Sequence, residues 1–126
     1  MNQPLPDAEE VDVVELRIPR KAEWVALARL SVAAFASRVD FSFDEIEDIK
    51  LAVAEACTNA IQHAGSAYIS IRLEAVDDLL RVSVSDYGEL VDGIGVFLIR
   101  SLMDEVDYQP HPDGGTTLVM CKRLEK

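Results

Sequence analysis

FDEIEDIKLAVAEACTNAIQHA, residues 43–64, reads as one long amphipathic helix, and the rest of the chain is arranged around it. Ser42 stands three residues before Glu45, the spacing of a capping box, and Phe41 is placed to staple onto Ile46. Gly65 follows, a residue able to take the left-handed conformation that ends helices. Ile46, Ile49, Val53, Ala56, Ala60 and Ala64 recur at intervals of three and four, which gives an apolar stripe for a core. Beside that stripe Glu55, Asn59 and Gln62/His63 stack at i, i+4 and i+7/i+8. Such a polar strip is either solvated or the wall of a site.

On the N-terminal side, residues 1–10 carry Pro4 and Pro6 and read as a loose terminus. From Val11 to Ile18 the pattern alternates, with Val14, Leu16 and Ile18 on one face, and Pro19 ends this half-buried strand. Lys21 to Val39 carries Trp24, Leu27, Ala28, Leu30, Ala34 and Phe35 at helical spacing, with Trp24 and Phe35 candidates for an interface rather than the core. On the C-terminal side, Tyr68–Ala75 and Leu79–Asp86 alternate around Asp77-Asp78, the pattern of a hairpin. Gly95–Met103 is a short helix, Glu105–Pro110 a strand, His111–Gly115 a turn, and Thr116–Leu124 a closing strand. The expectation is an α+β fold: a two-layer sandwich with three helices against a mixed, mostly antiparallel sheet of about five strands. Without repeats or an internal linker, residues 1–126 are expected to form one domain.

Composition narrows the function classes. A formal charge of −11 argues against nonspecific binding to nucleic acid or to anionic membrane, both of which need a basic surface. No apolar run reaches membrane-spanning length and no leader opens the sequence, so a cytoplasmic location is expected. Cys57 and Cys121 sit in apolar segments as small core residues, and two cysteines with two scattered histidines make no zinc pattern.

Four local features offer chemistry, and each has an ordinary structural explanation beside it. Glu55 and Asn59, one turn apart, suit a Mg²⁺ ion or a water, but they are as readily solvated. Asp86-Tyr87-Gly88 ends a strand; its carboxylate suits an exocyclic amine and its glycine a flat ring, yet Asp and Gly also favour turns. Gly93-Ile94-Gly95 opens a helix whose N-terminus favours phosphate, or it is a simple loop-to-helix junction. Gly115-Thr116 starts the last strand, where Thr116 can share a ligand or a water with Asp86 or be an ordinary strand threonine.

Taken in order, Glu55-x-x-x-Asn59-x-x-x-His63, Asp86-x-Gly88, Gly93-x-Gly95 and Gly115-Thr116 resemble the nucleotide-binding boxes of the GHKL ATPases. DEIEDIKLAVAEACTNAIQHA (44–64), IGVFLIRSLMDEV (94–106) and IPRKAEW (18–24) resemble, more narrowly, the anti-sigma-factor serine/threonine kinases, over nearly the whole chain. The resemblance implies a Bergerat-type sandwich that binds ATP and Mg²⁺. Carried over by position, Asn59 holds the Mg²⁺, Glu55 is the general base, and Asp86 reads the adenine amine beside Gly88 and Thr116. Gly93 and Gly95 meet the phosphates, and Arg29 contacts a protein partner. The implied protein is a homodimer that sequesters a sigma factor and phosphorylates a STAS-type anti-anti-sigma protein on serine. One departure stands out: only Glu89-Leu90-Val91-Asp92 separates Gly88 from Gly93, where the family has a much longer lid, and no Lys or Arg occurs between Arg81 and Arg100. A helix N-terminus offers only about half a positive charge, so Mg²⁺ would carry most of the neutralisation. That shortfall keeps open an alternative, a non-catalytic anti-sigma module that senses nucleotide weakly or not at all. A histidine-kinase catalytic domain fits less well, because no helical segment bears a phospho-acceptor histidine.

Overall fold

In the computed structural model, residues 12–63, 67–86, 94–112 and 114–124 are described. Strand β1 (Asp12–Pro19) leads through a 3-10 turn at Ala22–Trp24 into helix α1 (Val25–Ala36), and then into α2 (Phe43–His63). The hairpin β2 (Tyr68–Val76) and β3 (Leu79–Asp86) follows, then α3 (Ile94–Leu102), β4 (Glu105–Pro110) and β5 (Thr116–Arg123). The strand order is β1-β2-β3-β5-β4, and all four pairings are antiparallel, so the expected mixed sheet is a purely antiparallel one. Its two edges, β1 and β4, each end in a proline, Pro19 and Pro110, which blunts both against further pairing.

Most elements fall where the pattern puts them. The first helix is shorter than Lys21–Val39, because its first turn is 3-10 and the chain leaves the helix at Ser37. Asp77 takes a left-handed φ of 54° in the two-residue loop between Val76 and Leu79. Gly65 and Ala64, read as the end of α2, lie outside the described residues.

Helix α2 is central. It packs against α1 on one side, α3 on the other, and strands β2 and β3 beneath. The stripe works as read: Ile49, Val53, Ala56 and Ala60 are buried, joined by Ala52 and Cys57, while Ile46 is half-buried. Facing them are Ile69, Ile71, Leu73, Leu80, Val82, Val84, Leu118 and Met120, every second residue of three strands. Phe35 joins this core, whereas Trp24 keeps 42% of its surface exposed, so of the two only Trp24 is available to an interface. Burial pushes the Cys57 thiol up to about 12, which keeps it protonated and inert at neutral pH.

The start of α2 is fixed as its sequence suggests. The Glu45 backbone N–H donates to Ser42 Oγ at 3.1 Å, and the Ser42 N–H donates to Glu45 Oε1 at 2.7 Å, closing the capping box. Phe41 is buried beside it and Ile46 is half-buried in the same cluster. Replacement of Ser42 by Ala should cost about 1 kcal/mol of stability, read by urea titration with an unchanged slope. A midpoint equal to that of the parent chain would show that the box contributes nothing.

Candidate nucleotide site

The sheet has two unlike faces. Residues with the parity of Leu80, Val82 and Val84 point at the helices, and those with the parity of Arg81, Ser83 and Ser85 form an open outer face. Asp86 has the first parity, so the last residue of β3 carries a carboxylate on the helix-covered side, at the end of an apolar row. It is only 9% exposed, and its Oδ1 has no hydrogen-bond partner among the described residues. Burying a carboxylate oxygen without a donor costs about 1–3 kcal/mol or more, so native structures rarely keep one without a use for it. Directly across the rung, in register with Asp86, is Thr116. The acceptor is therefore aimed at a donor that no described residue supplies.

Glu55 and Asn59 lie one turn apart on α2, both half-buried, at the boundary between the core stripe and solvent. Neither side chain makes a hydrogen bond to another described residue. Gln62 is exposed, and the side chain of His63 lies outside the described residues. Gly95 falls in the first turn of α3, where backbone N–H groups have no intrahelical acceptor. Gly88 and Gly93 lie outside the described residues. Arg29 is on α1, well away from this group in sequence, and exposed between the apolar Leu27 and Leu30.

The donor set suits a nucleotide better than a bare ion. Among the described residues no group of three or more His, Cys, Asp or Glu side chains is placed to hold a metal. Magnesium keeps several waters and is usually held by one or two side-chain oxygens plus substrate phosphates, which Asn59 and Glu55 can supply. A carboxylate at a strand end, without a partner among the described residues, and a helix N-terminus fit the two ends of ATP: an amine-bearing base and a phosphate chain.

Residues 18–122 match the histidine kinase-like ATPase domain family. The chain belongs to that family. It is 37% identical to the serine-protein kinase RsbW of Bacillus subtilis (strain 168), an alignment covering 90% of this chain and 86% of that protein. It is 36% identical to RsbW of Staphylococcus epidermidis, over 91% of this chain and 89% of that one. In fold it is similar to the RsbU and RsbW domains of a Mycobacterium tuberculosis protein, with a TM-score of 0.76 at 21% identity, over 91% of this chain and 33% of the other. It is also similar to a chain of the SiaB–SiaC complex from Pseudomonas aeruginosa, with a TM-score of 0.64 at 12% identity, over 88% and 89% of the two. The alignment with the B. subtilis protein runs over 140 positions, whereas 90% of this 126-residue chain is about 113 residues, so about 27 positions have no counterpart here.

Two structural roles were not anticipated from the sequence. Arg20 Nη1 donates to the Ile61 carbonyl at 2.8 Å, while the Arg20 N–H donates to the Ala67 carbonyl at 2.9 Å. One residue thus caps the last turn of α2, where the helix dipole favours a cation, and ties it to the entry of β2. The second is a chain of side-chain hydrogen bonds on the outer face immediately behind Asp86 and Thr116. The only sequence signal for it is parity, which sends Ser85 and Thr117 to one face together.

Proposed function

We propose that this chain is an ATP- and Mg²⁺-dependent protein serine kinase that also acts as an anti-sigma factor. In this reading it holds an alternative sigma factor and phosphorylates a STAS-type anti-anti-sigma partner on serine, in the cytoplasm and as a homodimer of single-domain chains. The observation that carries it is the buried Asp86 Oδ1 opposite Thr116, without a partner among the described residues, in a chain 37% identical to a serine-protein kinase.

The residues divide the work by position. Asp86 accepts from the adenine amine with Thr116 beside it, and Gly88 lets the ring approach the backbone. Gly93 and Gly95 give the phosphates a glycine-lined helix start. Asn59 ligates Mg²⁺, whose chemical contribution is to neutralise phosphate charge. Glu55, one turn earlier on α2, takes the proton of the attacking serine hydroxyl, a role suited to a half-buried carboxylate. Arg29 is the charged centre of the partner surface. Helix α1 carries no acidic residue in a chain of net charge −11, and exposed Leu27 and Leu30 flank the guanidinium. An apolar patch with one cation suits a partner helix bearing a carboxylate.

The direct test mixes the purified chain with Mg-ATP and a STAS-domain partner and follows phosphoserine by intact mass. Phosphate transfer, together with sigma capture lost in Arg29→Glu at unchanged ATP binding, is the expected result. No transfer under saturating Mg-ATP would remove the kinase activity. The second reading, a non-catalytic anti-sigma module, is favoured by one feature, the four residues between Gly88 and Gly93. Titration calorimetry separates the two: sigma capture with no heat of Mg-ATP binding belongs to the module. Sedimentation gives the mass of the assembly, and a single-chain mass would remove the dimer.

A further inference from the structure

Behind the Asp86–Thr116 rung, on the outer face, lies a linked set of three side chains. Thr117 Oγ1 is 2.6 Å from His111 Nε2 and 2.9 Å from Ser85 Oγ. Ser85 and Thr117 are the cross-strand pair adjoining Asp86 and Thr116, and His111 begins the turn that delivers β5. That turn is closed by the His111 N–H donating to the Gly115 carbonyl at 3.0 Å and the Gly114 N–H donating to the His111 carbonyl at 3.1 Å. Gly114 and Gly115 both have φ near +95°, at 95° and 94°, so the backbone there is in the region that side-chain-bearing residues avoid. The turn leads straight into Thr116, and the hydroxyl chain joins it to β3 from behind.

We infer that Thr117 is a positioning residue for nucleobase recognition: through His111 and Ser85 it fixes the spacing of the Asp86–Thr116 pair, and with it the preference for a base carrying an exocyclic amine. The inference rests on the reading of Asp86 as the base acceptor. Its physical basis is geometric. A carboxylate–amine hydrogen bond weakens steeply outside about 2.7–3.2 Å. Strand ends next to a turn fray unless side chains hold them, and the last backbone rung here is the one the ligand must use. Thr117 can serve both neighbours at once because a hydroxyl has one donor and two acceptor sites. Valine has the same shape and neither.

The outer face also makes the substitution interpretable. Ser85 and Thr117 line an open trough of about 580 Å³, together with Ser70 and Ser83, so solvent can replace the lost partners of Ser85 and His111. Thr117→Val therefore leaves no sealed, unsatisfied group; what it removes is the tie between β3, β5 and the turn.

The experiment compares ATP with ITP, which has a carbonyl oxygen where adenine has its amine, by titration calorimetry with Mg²⁺ on the full chain. The parent chain is expected to prefer ATP, because a site built to accept an N–H rejects the analogue that lacks it. Thr117→Val is expected to lose about tenfold of that preference, part of the worth of one hydrogen bond to a charged acceptor. Thr117→Ser, which keeps the hydroxyl, should retain it. Ser85→Ala, which breaks one link only, should fall between the two and serves if the valine variant fails to fold. A parent chain that binds ATP and ITP alike overturns the reading of Asp86 and this inference together. A parent preference that survives unchanged in Thr117→Val or Ser85→Ala overturns this inference alone, and so does equal loss in Thr117→Ser.

Discussion

Glu55→Ala should lower phosphotransfer to a STAS-domain serine by about a hundredfold or more, while Mg-ATP binding and sigma capture stay at the parent level. The size follows from the role, since a positioned general base is worth about 10²–10⁴ in rate. The selectivity follows from where Glu55 sits. Its side chain is half-buried at the edge of the core stripe and makes no hydrogen bond to another described residue, so its removal strands no described partner. Alanine is the better helix former at that position, so α2 should not weaken. Glu55→Gln is the sharper variant, because it keeps the shape and removes only the basicity. Single-turnover phosphorylation followed by mass, with nucleotide affinity by calorimetry, separates chemistry from binding. Unchanged phosphorylation in either variant would take the base role away from Glu55. Lost ATP binding would instead make it part of the nucleotide cradle.

How much of this was legible in the sequence depends on the range of the physics involved. Local rules fixed the elements. The Ser42–Glu45 box, the three-and-four spacing from Ile49 to Ala60 and the alternation from Tyr68 to Asp86 each depend on neighbours within a few residues, and each is found as read. The first helix starts later than Lys21 because Ala22–Trp24 forms a 3-10 turn, which composition does not distinguish from an α-helical one. The parallel component expected in the sheet is absent because β5 inserts between β3 and β4, a long-range choice that no local pattern encodes. The same limit applies to the site. Asp86 was visible as a candidate because a strand ends in Asp-x-Gly, but whether its carboxylate is satisfied depends on what surrounds β3 in space. Thr117 was invisible because its partner Ser85 is 32 residues away in sequence. The Arg20–Ile61 bond, spanning 41 residues, was hidden for the same reason.

Asp86→Asn should move stability and affinity in opposite directions. With no ligand present, the parent chain holds a buried carboxylate oxygen that has no donor among the described residues, which costs about 1–3 kcal/mol. An amide of the same shape is cheaper to bury than a charge, so the ligand-free variant should unfold later, by roughly 3–6 °C for a gain of about 1 kcal/mol in a domain this size. With nucleotide the order should reverse. The variant offers the adenine amine a neutral acceptor, or an N–H₂ that repels it, and ATP affinity should fall by about tenfold to a hundredfold. Ligand at a hundred times its Kd stabilises the folded state by about 2.7 kcal/mol, and most of that is lost when the Kd rises to meet the concentration used. The two melting curves should therefore cross: variant above parent without Mg-ATP, parent above variant with it. Crossing is the distinguishing outcome, because a purely structural role for Asp86 predicts that the variant is less stable in both conditions. Parent and variant shifted equally by Mg-ATP would mean that the buried oxygen does not face the base. The unpaired carboxylate at the end of β3 would then be a cost with no return, and the site would have to be sought elsewhere along α2.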